Sequence, residues 1–432
     1  MAERFDVVIV GAGPAGLSAG LVLARGGANV LILERGEYPG SKNVMGGVLY
    51  RHQLDELLPG FWREAPIERT IVEQNYWLMT PDSAVTFGYR TPRWADDPPN
   101  NFTVLRAKFD PWFAKKVEEA GATLITRTTV VDLIHDDRGR VVGVVAGRPE
   151  GEVYADVVIL AEGVNNLLTQ KAGLHDDWKM NEAALAVKEV IELPREKIED
   201  RFGLEPGQGA TVEMLGDATA GMLGMGFLYT NKESVSFGVG VLVKHLVYSG
   251  MNPNQLLERL KQHPKVRKLI EGGKVIEYSA KLIPEGGYKA IPRLFKDGLM
   301  VVGDAAGLTN AIHREGSNLA MTSGRIAGEV ALEALAEGDS SSRVLCRYQQ
   351  RLEETYVLKD LKKYNHANEF FDENPQFLRD YPELLSRVMR EFFTVDSTPK
   401  WDKQAKIIRM VRQQRPLWRI AYDLYSMWRA IG

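Results

Sequence analysis

The sequence has a single cysteine, Cys346, among its 432 residues. One cysteine cannot form an internal disulfide, which indicates a reducing compartment. It also cannot ligate an iron–sulfur cluster, because such clusters need several thiolates. Cys346 lies in a helical pattern, so we expect it to be a buried structural thiol.

Long hydrophobic runs and a strong charge bias are also absent. No run of about 18 apolar residues occurs, so no membrane-spanning helix is expected. The 54 Lys and Arg residues nearly balance the 57 Asp and Glu residues, giving a net charge of −3. This balance argues against a protein that binds nucleic acid through bulk charge. The composition predicts a cytoplasmic protein, either dissolved or lying on a membrane surface.

Motifs of hydrolytic and metal-dependent catalysis are missing as well. The sequence contains no H-E-x-x-H, no G-x-S-x-G and no Cys/His cluster, so we predict no metal site. The chain length and a hydrophobic content of 44% nevertheless allow two or three domains with a sizeable core.

The first clear motif lies in "FDVVIVGAGPAGLSAGLVLARGGANVLILER" (5–35), which predicts a strand, a tight turn, a helix and a second strand. Its G-x-G-x-x-G turn allows backbone to approach a pyrophosphate, which the helix N-terminus then binds. An acidic residue ends the second strand, where it suits ribose hydroxyls and disfavours the extra phosphate of NADP. The predicted dinucleotide-binding residues are Gly11, Ala12, Gly13, Pro14, Ala15, Gly16, Glu34 and Arg35.

Two further segments distinguish FAD from NAD. "DGLMVVGDAAG" (297–307) resembles the Gly-Asp segment of the flavoprotein hydroxylase and reductase superfamily, and "ADVVILAEGVNN" (155–166) resembles its middle motif, with Glu-Gly replacing the usual Asp-Gly. The resemblance implies non-covalent FAD, with Asp304 on the ribityl chain and a helix that starts near Gly316 facing the flavin ring and pyrophosphate. The residues implied are Ala161, Glu162, Gly163, Gly303, Asp304, Gly316, Ser317 and Asn318.

Several other residues are candidates with an equally ordinary alternative. Arg106 begins a predicted helix and strand (106–126) and either contacts FAD, as an arginine does there in the superfamily, or forms a surface ion pair. His313 and Arg314 either favour flavin reduction through their positive charge or form a surface loop pair. The remaining cofactor-binding candidates are Lys42, Asn43, Gly46 and Gly47, in the stretch 41–50, and Val131, in a predicted hairpin (130–146).

These segments predict an α/β fold with a Rossmann-type FAD-binding domain that resembles those of glutathione reductase or p-hydroxybenzoate hydroxylase (PHBH-like). We expect this discontinuous domain to comprise 1–70, 103–175 and 285–338. Alternating strand patterns predict an inserted β-rich domain of 71–102 and 176–284. The resemblance to the flavoprotein superfamily implies that this domain binds the substrate, which is quinone if the chain resembles the quinone-linked members described below. Helical periodicity predicts a C-terminal helical region, 339–432.

The end of the sequence is rich in basic and aromatic residues. From Trp401 onward seven Lys and Arg residues face two Asp residues, and apolar residues recur at helical spacing after Pro416. Core packing explains such a stripe, and so does a surface that docks on a membrane or a partner. The sequence leaves both interpretations open.

The blocks "SKNVMGGVLY" (41–50), "LIPEGGYKAIPRLFKDGLMVVGDAAG" (282–307) and "REGSNLAMTSGRIAGE" (314–329) resemble the FixC group. These are the flavoprotein subunits of electron-bifurcating Fix complexes, within the electron-transfer-flavoprotein:quinone oxidoreductase (ETF-QO) family and related to geranylgeranyl reductases. The resemblance covers nearly the whole chain. It implies an FAD-dependent oxidoreductase that accepts electrons from ETF-like subunits FixA and FixB and passes them to menaquinone or ubiquinone. It also implies peripheral contact with the inner face of the cell membrane.

One departure from the family matters. Single-chain members carry a [4Fe–4S] cluster in a cysteine-bearing C-terminal domain, whereas this sequence has one cysteine. Iron–sulfur clusters are therefore expected only on a partner, which the resemblance identifies as the ferredoxin-like FixX. Two alternatives remain: a stand-alone prenyl-chain reductase or hydroxylase, disfavoured because Y-x-W-x-F-P is absent, and an FAD-bound scaffold without catalysis.

Overall fold

The computed structural model describes residues 3–42 and 47–432. Its strands are β1 (Glu3–Val10), β2 (Val30–Leu33), β3 (Val48–Tyr50), β4 (Ile67–Met79), β5 (Ala84–Arg90), β6 (Asn101–Val104), β7 (Thr123–Ile125), β8 (Val130–His135), β9 (Val141–Ala146), β10 (Glu152–Leu160), β11 (Ala183–Glu192), β12 (Gln208–Gly216), β13 (Gly224–Thr230), β14 (Ser234–Leu242), β15 (Lys274–Pro284), β16 (Phe295–Lys296) and β17 (Leu299–Val301).

The α-helices are α1 (Pro14–Arg25), α2 (Arg51–Leu57), α3 (Arg106–Glu119), α4 (Leu167–Lys171), α5 (Arg195–Phe202), α6 (Val243–Ser249), α7 (Pro253–Gln262), α8 (Pro264–Ile270), α9 (Ser317–Glu337), α10 (Ser342–Glu354), α11 (Tyr356–Lys363), α12 (Ala367–Glu373), α13 (Asp380–Phe393), α14 (Lys400–Gln414) and α15 (Leu417–Ile431). The expected strand–helix–strand start, the helix and strand of 106–126, and the hairpin of 130–146 are all confirmed.

The chain divides into two compact units. The first comprises the residues up to Thr70, Trp94–Ala183 and Lys281–Asn365. Its main sheet has the order β16-β17-β10-β1-β2-β7, and β17, β10, β1, β2 and β7 run parallel. The buried, β-branched run Val7–Val10 lies in the middle of this sheet, as expected for a strand covered on both faces.

Small residues bring α9 against α1 within this unit. A Cβ built on Gly324 would lie 2.0 Å from the Ala15 carbonyl oxygen, and one on Gly328 would lie 3.0 Å from the Ala19 carbonyl oxygen. Only glycine permits the approach at position 324, and the contact at position 328 is tight. The contact fixes the start of α9, which follows the Gly-Asp segment, beside the start of α1, which follows the G-x-G-x-x-G turn.

The second unit comprises Ile71–Arg93, Ala184–Ala280 and His366–Gly432. Its sheet has the order β15-β11-β14-β13-β12-β4, with β5 paired to β4. Val212, Met214, Phe237 and Val239 lie in its core. The unit is β-rich, as expected, but α5 to α8 also belong to it. These helices were not predicted, because they are short and largely polar and lie between strand-like stretches.

The predicted C-terminal region, 339–432, is helical but is divided between the units, since α10 and α11 belong to the first and α12 to α15 to the second. Cys346 is half-buried in α10, so the expectation of a buried thiol was wrong. In the described part of the chain, no helix combines the length and the apolar character needed to cross a membrane.

Candidate functional site

The G-x-G-x-x-G turn lies at the carboxyl end of β1 and touches the end of β10. Gly11 has φ +106°, and a Cβ there would lie 2.3 Å from the Ala161 carbonyl oxygen. A Cβ on Gly16 would lie 2.0 Å from the Gly11 carbonyl oxygen. Glycine is therefore required at both positions, and the turn is held tightly against the neighbouring strand.

The middle glycine of the motif faces open space. Apart from Gly13 itself and its chain neighbours Ala12 and Pro14, no described residue has an atom within 4 Å of the position that a Cβ on Gly13 would take. Helix α1 begins next to it at Pro14, and no side chain caps its N-terminus. The uncapped N–H groups and the free volume beside them suit a diphosphate.

The Glu34 carboxylate is fixed beside this turn by backbone donors. The Ala12 N–H donates to Glu34 Oε2 at 2.8 Å, and the Gly36 N–H donates to Glu34 Oε1 at 2.6 Å. Each carboxylate oxygen keeps a second lone pair. Glu34 can therefore still accept hydrogen bonds from ribose hydroxyls, as predicted for a dinucleotide.

The three sequence motifs meet at one edge of the sheet. The Ala161 N–H donates to the Val10 carbonyl at 2.8 Å, and the Val302 N–H donates to the Leu160 carbonyl at 2.9 Å. The loops that follow β1, β10 and β17 are therefore neighbours. Asp304 lies in the last of these loops, next to Gly303, where a Cβ would lie 2.9 Å from the Ala15 Cβ. Ligands of open α/β sheets bind at this carboxyl edge.

The Glu162 carboxylate caps the start of α4. It accepts hydrogen bonds from the Leu168 N–H (3.0 Å), the Thr169 N–H (2.8 Å) and the Thr169 hydroxyl (2.8 Å), at the start of α4. Burial raises the pKa of Glu162, and these hydrogen bonds lower it, with a net rise. The side chain thus holds α4, while the backbone of Glu162 and Gly163 lies at the sheet edge. Arg35 also lies close enough to lower this pKa.

The N-terminus of α9 completes the arrangement. Gly316 precedes Ser317, and no described side chain caps the helix. Apart from Gly316 and its chain neighbours, no described residue has an atom within 4 Å of a Cβ on Gly316. Asn318 is 2% exposed, and its Oδ1 has no hydrogen-bond partner among the described residues. A buried, unpartnered oxygen beside open volume indicates that a ligand supplies the missing donor.

His313 and Arg314 occupy the tip of the loop before α9. The loop is closed by two hydrogen bonds between Asn310 and Glu315, of 2.8 and 3.0 Å. His313 is exposed, and its Nε2 lies 2.8 Å from the Tyr364 hydroxyl. Arg314 has a positive φ of 58°. The structure places both residues near the start of α9 but joins His313 to Tyr364, and their role toward the flavin stays a prediction.

Arg106 forms the ion pair that the sequence left open, although the pair is buried. Arg106 and Asp110 are 8% and 0% exposed, and Arg106 Nη2 donates to Asp110 Oδ2 at 2.5 Å. Burial raises the pKa of Asp110, Arg106 lowers it and Glu34 raises it. The pair therefore belongs to the same charged cluster as Glu34.

The remaining cofactor-binding candidates are Lys42, Asn43, Gly46, Gly47 and Val131. Gly47 has φ +115°, and a Cβ there would lie 2.4 Å from the Val104 carbonyl oxygen, so glycine is required for close backbone packing. Lys42 is exposed, and Val131 is 44% exposed on β8. Asn43 and Gly46 lie outside the described residues.

Two charged residues of this region, Lys281 and Glu285, were not predicted from the sequence to belong to the site. Burial lowers the pKa of Lys281, and Arg106 and Arg35 lower it further, whereas Asp304 and Glu34 raise it. Burial raises the pKa of Glu285 to about 8, and Asp304 contributes to the rise. The available signal was a charged residue on each side of the apolar run "LIP" (282–284).

These residues fit FAD. The two uncapped helix N-termini suit the diphosphate, Glu34 and Asp304 suit the two sugar-like parts, and the orphaned Asn318 oxygen suits a donor on the ligand. When bound, FAD supplies the electron-transfer chemistry, and the chain supplies its position and electrostatic surroundings. Among the described residues, no group of three or more His, Cys, Asp or Glu side chains is placed to hold a metal ion.

The fold and the site define the class: the chain is an FAD-dependent oxidoreductase. Residues 6–174 match the family model described as FAD dependent oxidoreductase, 184–283 match ETF-QO, ubiquinone-binding, and 367–432 match the ETF-QO/FixC family C-terminal domain. The chain is 50% identical to Protein FixC of Azorhizobium caulinodans over 99% of both chains, and 43% identical to Protein FixC of Escherichia coli K12 over 94% of both. It belongs to the FixC family, as the resemblance of its motifs predicted.

Solved structures share the fold at low sequence identity. A geranylgeranyl bacteriochlorophyll reductase-like protein of Thermoplasma acidophilum superposes with a TM-score of 0.76 at 20% identity, covering 99% of this chain and 100% of that one. The flavin-dependent brominase Bmp2 superposes with a TM-score of 0.65 at 18% identity, covering 98% and 99%. These likenesses confirm the Rossmann-type FAD-binding fold and carry no further functional information.

Proposed function

We propose that this chain accepts electrons from an ETF-like heterodimer of the FixA and FixB kind and passes them through its FAD to quinone. The observation that carries the proposal is similarity to FixC proteins along nearly the whole chain, including a stretch of the ubiquinone-binding type at 184–283. The flavin role with quinone is thus supported at the level of the family. The named donors and an electron-bifurcating complex are our proposal.

The single cysteine supports a multi-subunit arrangement. Cys346 cannot hold an iron–sulfur cluster, because such a cluster needs several thiolates. If electrons reach quinone through a cluster, a second polypeptide has to carry it. We assign this role to a small ferredoxin-like subunit of the FixX kind.

The C-terminal helices supply a surface that suits contact with a membrane. Of the 23 large hydrophobic side chains that are exposed among the described residues, 12 lie in 366–432. Trp401, Trp418 and Trp428 are 80%, 67% and 65% exposed. The apolar stripe of α15 therefore does not pack into the core, which favours the docking interpretation over core packing.

Buried polar contacts hold α15 with this face outward. The Tyr381 hydroxyl donates to Asp423 Oδ2 at 2.6 Å, and Arg415 Nη2 donates to Asp423 Oδ1 at 2.8 Å. Asp423 is 3% exposed. Since Asp423 anchors one side of α15, the aromatic side chains at 418, 422, 425 and 428 are left exposed.

The charge available for lipid is smaller than the sequence indicated. Lys403 pairs with Asp396 at 3.1 Å, Lys406 pairs with Glu391 at 2.8 Å, and Arg415 pairs with Asp423. Four arginines of α14 and α15 form no ion pair with the described residues: Arg409, Arg412, Arg419 and Arg429. Each contributes about 1 kcal/mol near anionic lipid, which suits reversible binding at the inner face of the cell membrane.

The test is affinity purification of the chain from its native cell, followed by assays on the product. We expect one FAD per chain, iron on a co-purifying small subunit, and reduction of menaquinone or ubiquinone by the complex when a reduced ETF-like donor is supplied. A chain that purifies alone and oxidises NAD(P)H by itself would instead identify a prenyl-chain reductase or hydroxylase. The structure offers no observation that favours this second function.

A further inference from the structure

Lys281 is a half-buried cation whose charge has no direct partner. It lies near the end of β15 and belongs to the first unit. Neither a hydrogen bond nor an ion pair joins its ammonium group to another described residue. Burial removes part of the hydration of this ammonium group, and a ligand that supplies an anion in direct contact would offset the loss.

The neighbours of Lys281 define where it lies in the FAD site. Its Nζ would be 3.7 Å from a Cβ on Gly163, in the loop that follows β10. Both Asp304 and Glu34 lie close enough to raise the pKa of Lys281. These two acids suit the ribityl chain and the adenosine ribose of FAD, respectively. The group that joins those two parts of FAD is the diphosphate.

We propose that Lys281 binds the diphosphate of FAD. Backbone N–H groups at the starts of α1 and α9 carry only partial charges, and Lys281 supplies a full positive charge to the same anion. The nearby carboxylates Glu34 and Asp304 repel a diphosphate, and a cation beside it offsets that repulsion. The proposal concerns FAD binding and is independent of the electron donor or acceptor.

The charges around Lys281 come from every element at this edge. Arg35 and Glu34 follow β2, Arg106 and Asp110 lie on α3, and Asp304 follows β17. Burial and the two arginines lower the pKa of Lys281, whereas Asp304 and Glu34 raise it, with a net decrease. A bound diphosphate raises this pKa again, because it favours the ammonium form.

The first experiment measures the dissociation constant of FAD on the flavin-depleted full chain. We expect Lys281→Met to weaken FAD binding about 10- to 100-fold, the effect of losing one charge-assisted contact. Lys281→Arg should stay close to wild type, and so should Lys274→Met, since Lys274 is an exposed lysine of the same strand. ADP, which carries the diphosphate without the flavin, should lose affinity by a similar factor on Lys281→Met.

Two outcomes of this experiment overturn the proposal. FAD binding within twofold of wild type on Lys281→Met excludes a diphosphate contact. Weaker FAD binding with unchanged ADP binding places the ammonium at another part of the cofactor. Thermal unfolding of each variant without FAD identifies any loss of folding.

The second experiment needs no variant and therefore holds even if Lys281→Met fails to fold. The wild-type chain is acetylated with an amine-reactive ester, with and without FAD, and the modified lysines are quantified by mass spectrometry. We expect bound FAD to decrease modification of Lys281 at least tenfold and to leave Lys274 unchanged. Equal modification of Lys281 in both states overturns the proposal.

Discussion

The close contact between α9 and α1 gives the sharpest prediction about stability, for the substitution Gly324→Ala. The added Cβ would lie 2.0 Å from the Ala15 carbonyl oxygen, where ordinary van der Waals contact begins near 3.4 Å. Both partners are helical backbone, so no side-chain rotation relieves the overlap. The two helices have to separate by more than 1 Å along this line.

The expected magnitude follows from two opposing effects. Overpacking at a rigid contact costs about 3 kcal/mol, at the upper end of its usual range. Alanine recovers about 1 kcal/mol over glycine inside a helix. We therefore expect Gly324→Ala to lower the free energy of unfolding by about 2 kcal/mol. FAD affinity should fall about tenfold as well, because the start of α9 moves away from the cofactor.

The assay is urea unfolding of wild type and variants, combined with FAD titration of the flavin-depleted chain. Gly328→Ala is the matched control on the same helix, since its Cβ would lie 3.0 Å from the Ala19 carbonyl oxygen and the strain is smaller. We expect both the free energy of unfolding and the FAD affinity to decrease from wild type to Gly328→Ala and further to Gly324→Ala. A Gly324→Ala chain that is as stable as wild type would refute the reasoning.

Three further predictions concern the site and the surface. Asp304→Ala should weaken FAD binding about 10- to 100-fold and leave the fold intact, because it removes the hydrogen-bond acceptor for the ribityl chain. Glu285 has a folded pKa of about 8, above its unfolded value, so its protonated form favours the native state and stability falls as the pH rises from about 4.5 to 8. In the FAD-free chain, Glu285→Gln should reduce this pH-dependent loss in the free energy of unfolding by up to about 5 kcal/mol. Replacing both Trp418 and Trp428 with Ala should weaken binding to anionic vesicles tenfold or more.

Each of these predictions has a measurement that contradicts it. Full flavin occupancy with wild-type spectra in Asp304→Ala would remove Asp304 from the site. Identical pH profiles of thermal unfolding for wild type and Glu285→Gln would show that Glu285 titrates normally. Unchanged vesicle binding of the double Trp variant, together with loss of partner subunits, would assign the α15 face to a protein partner.

Local patterns predicted the part of the site that depends on local geometry. Gly11 and Gly16 are recognisable because a turn between a strand and a helix needs glycine there, and Glu34 follows at a fixed distance along the same unit. Asp304 was found through resemblance to other flavoproteins. In each case the chemical reason lies within about 30 residues of chain or in a shared motif.

What the sequence could not provide depends on contacts between distant segments. Lys281 became a candidate only when Glu34, Arg106 and Asp304 were placed around it. Glu162 looked like a ligand-facing acid, but folding places the start of α4 against its carboxylate. The sequence shows seven basic residues after Trp401 but not which of them form ion pairs. Lys403 and Lys406 pair with acidic residues that lie before Trp401 in the chain.

The interleaved order of the segments constrains how the protein is made. The first half of the FAD site ends at Glu34, but the second half needs Asp304 and the start of α9. At about 5–20 residues per second, a ribosome needs about 15–60 s to reach that point, and until then the nascent chain cannot bind the cofactor. The parallel strands β10 and β17 also have to join β1 across long stretches of chain, which favours slow folding. The complete FAD site therefore exists only after 317 of the 432 residues have been made, and a chain that ends before α9 lacks one half of that site.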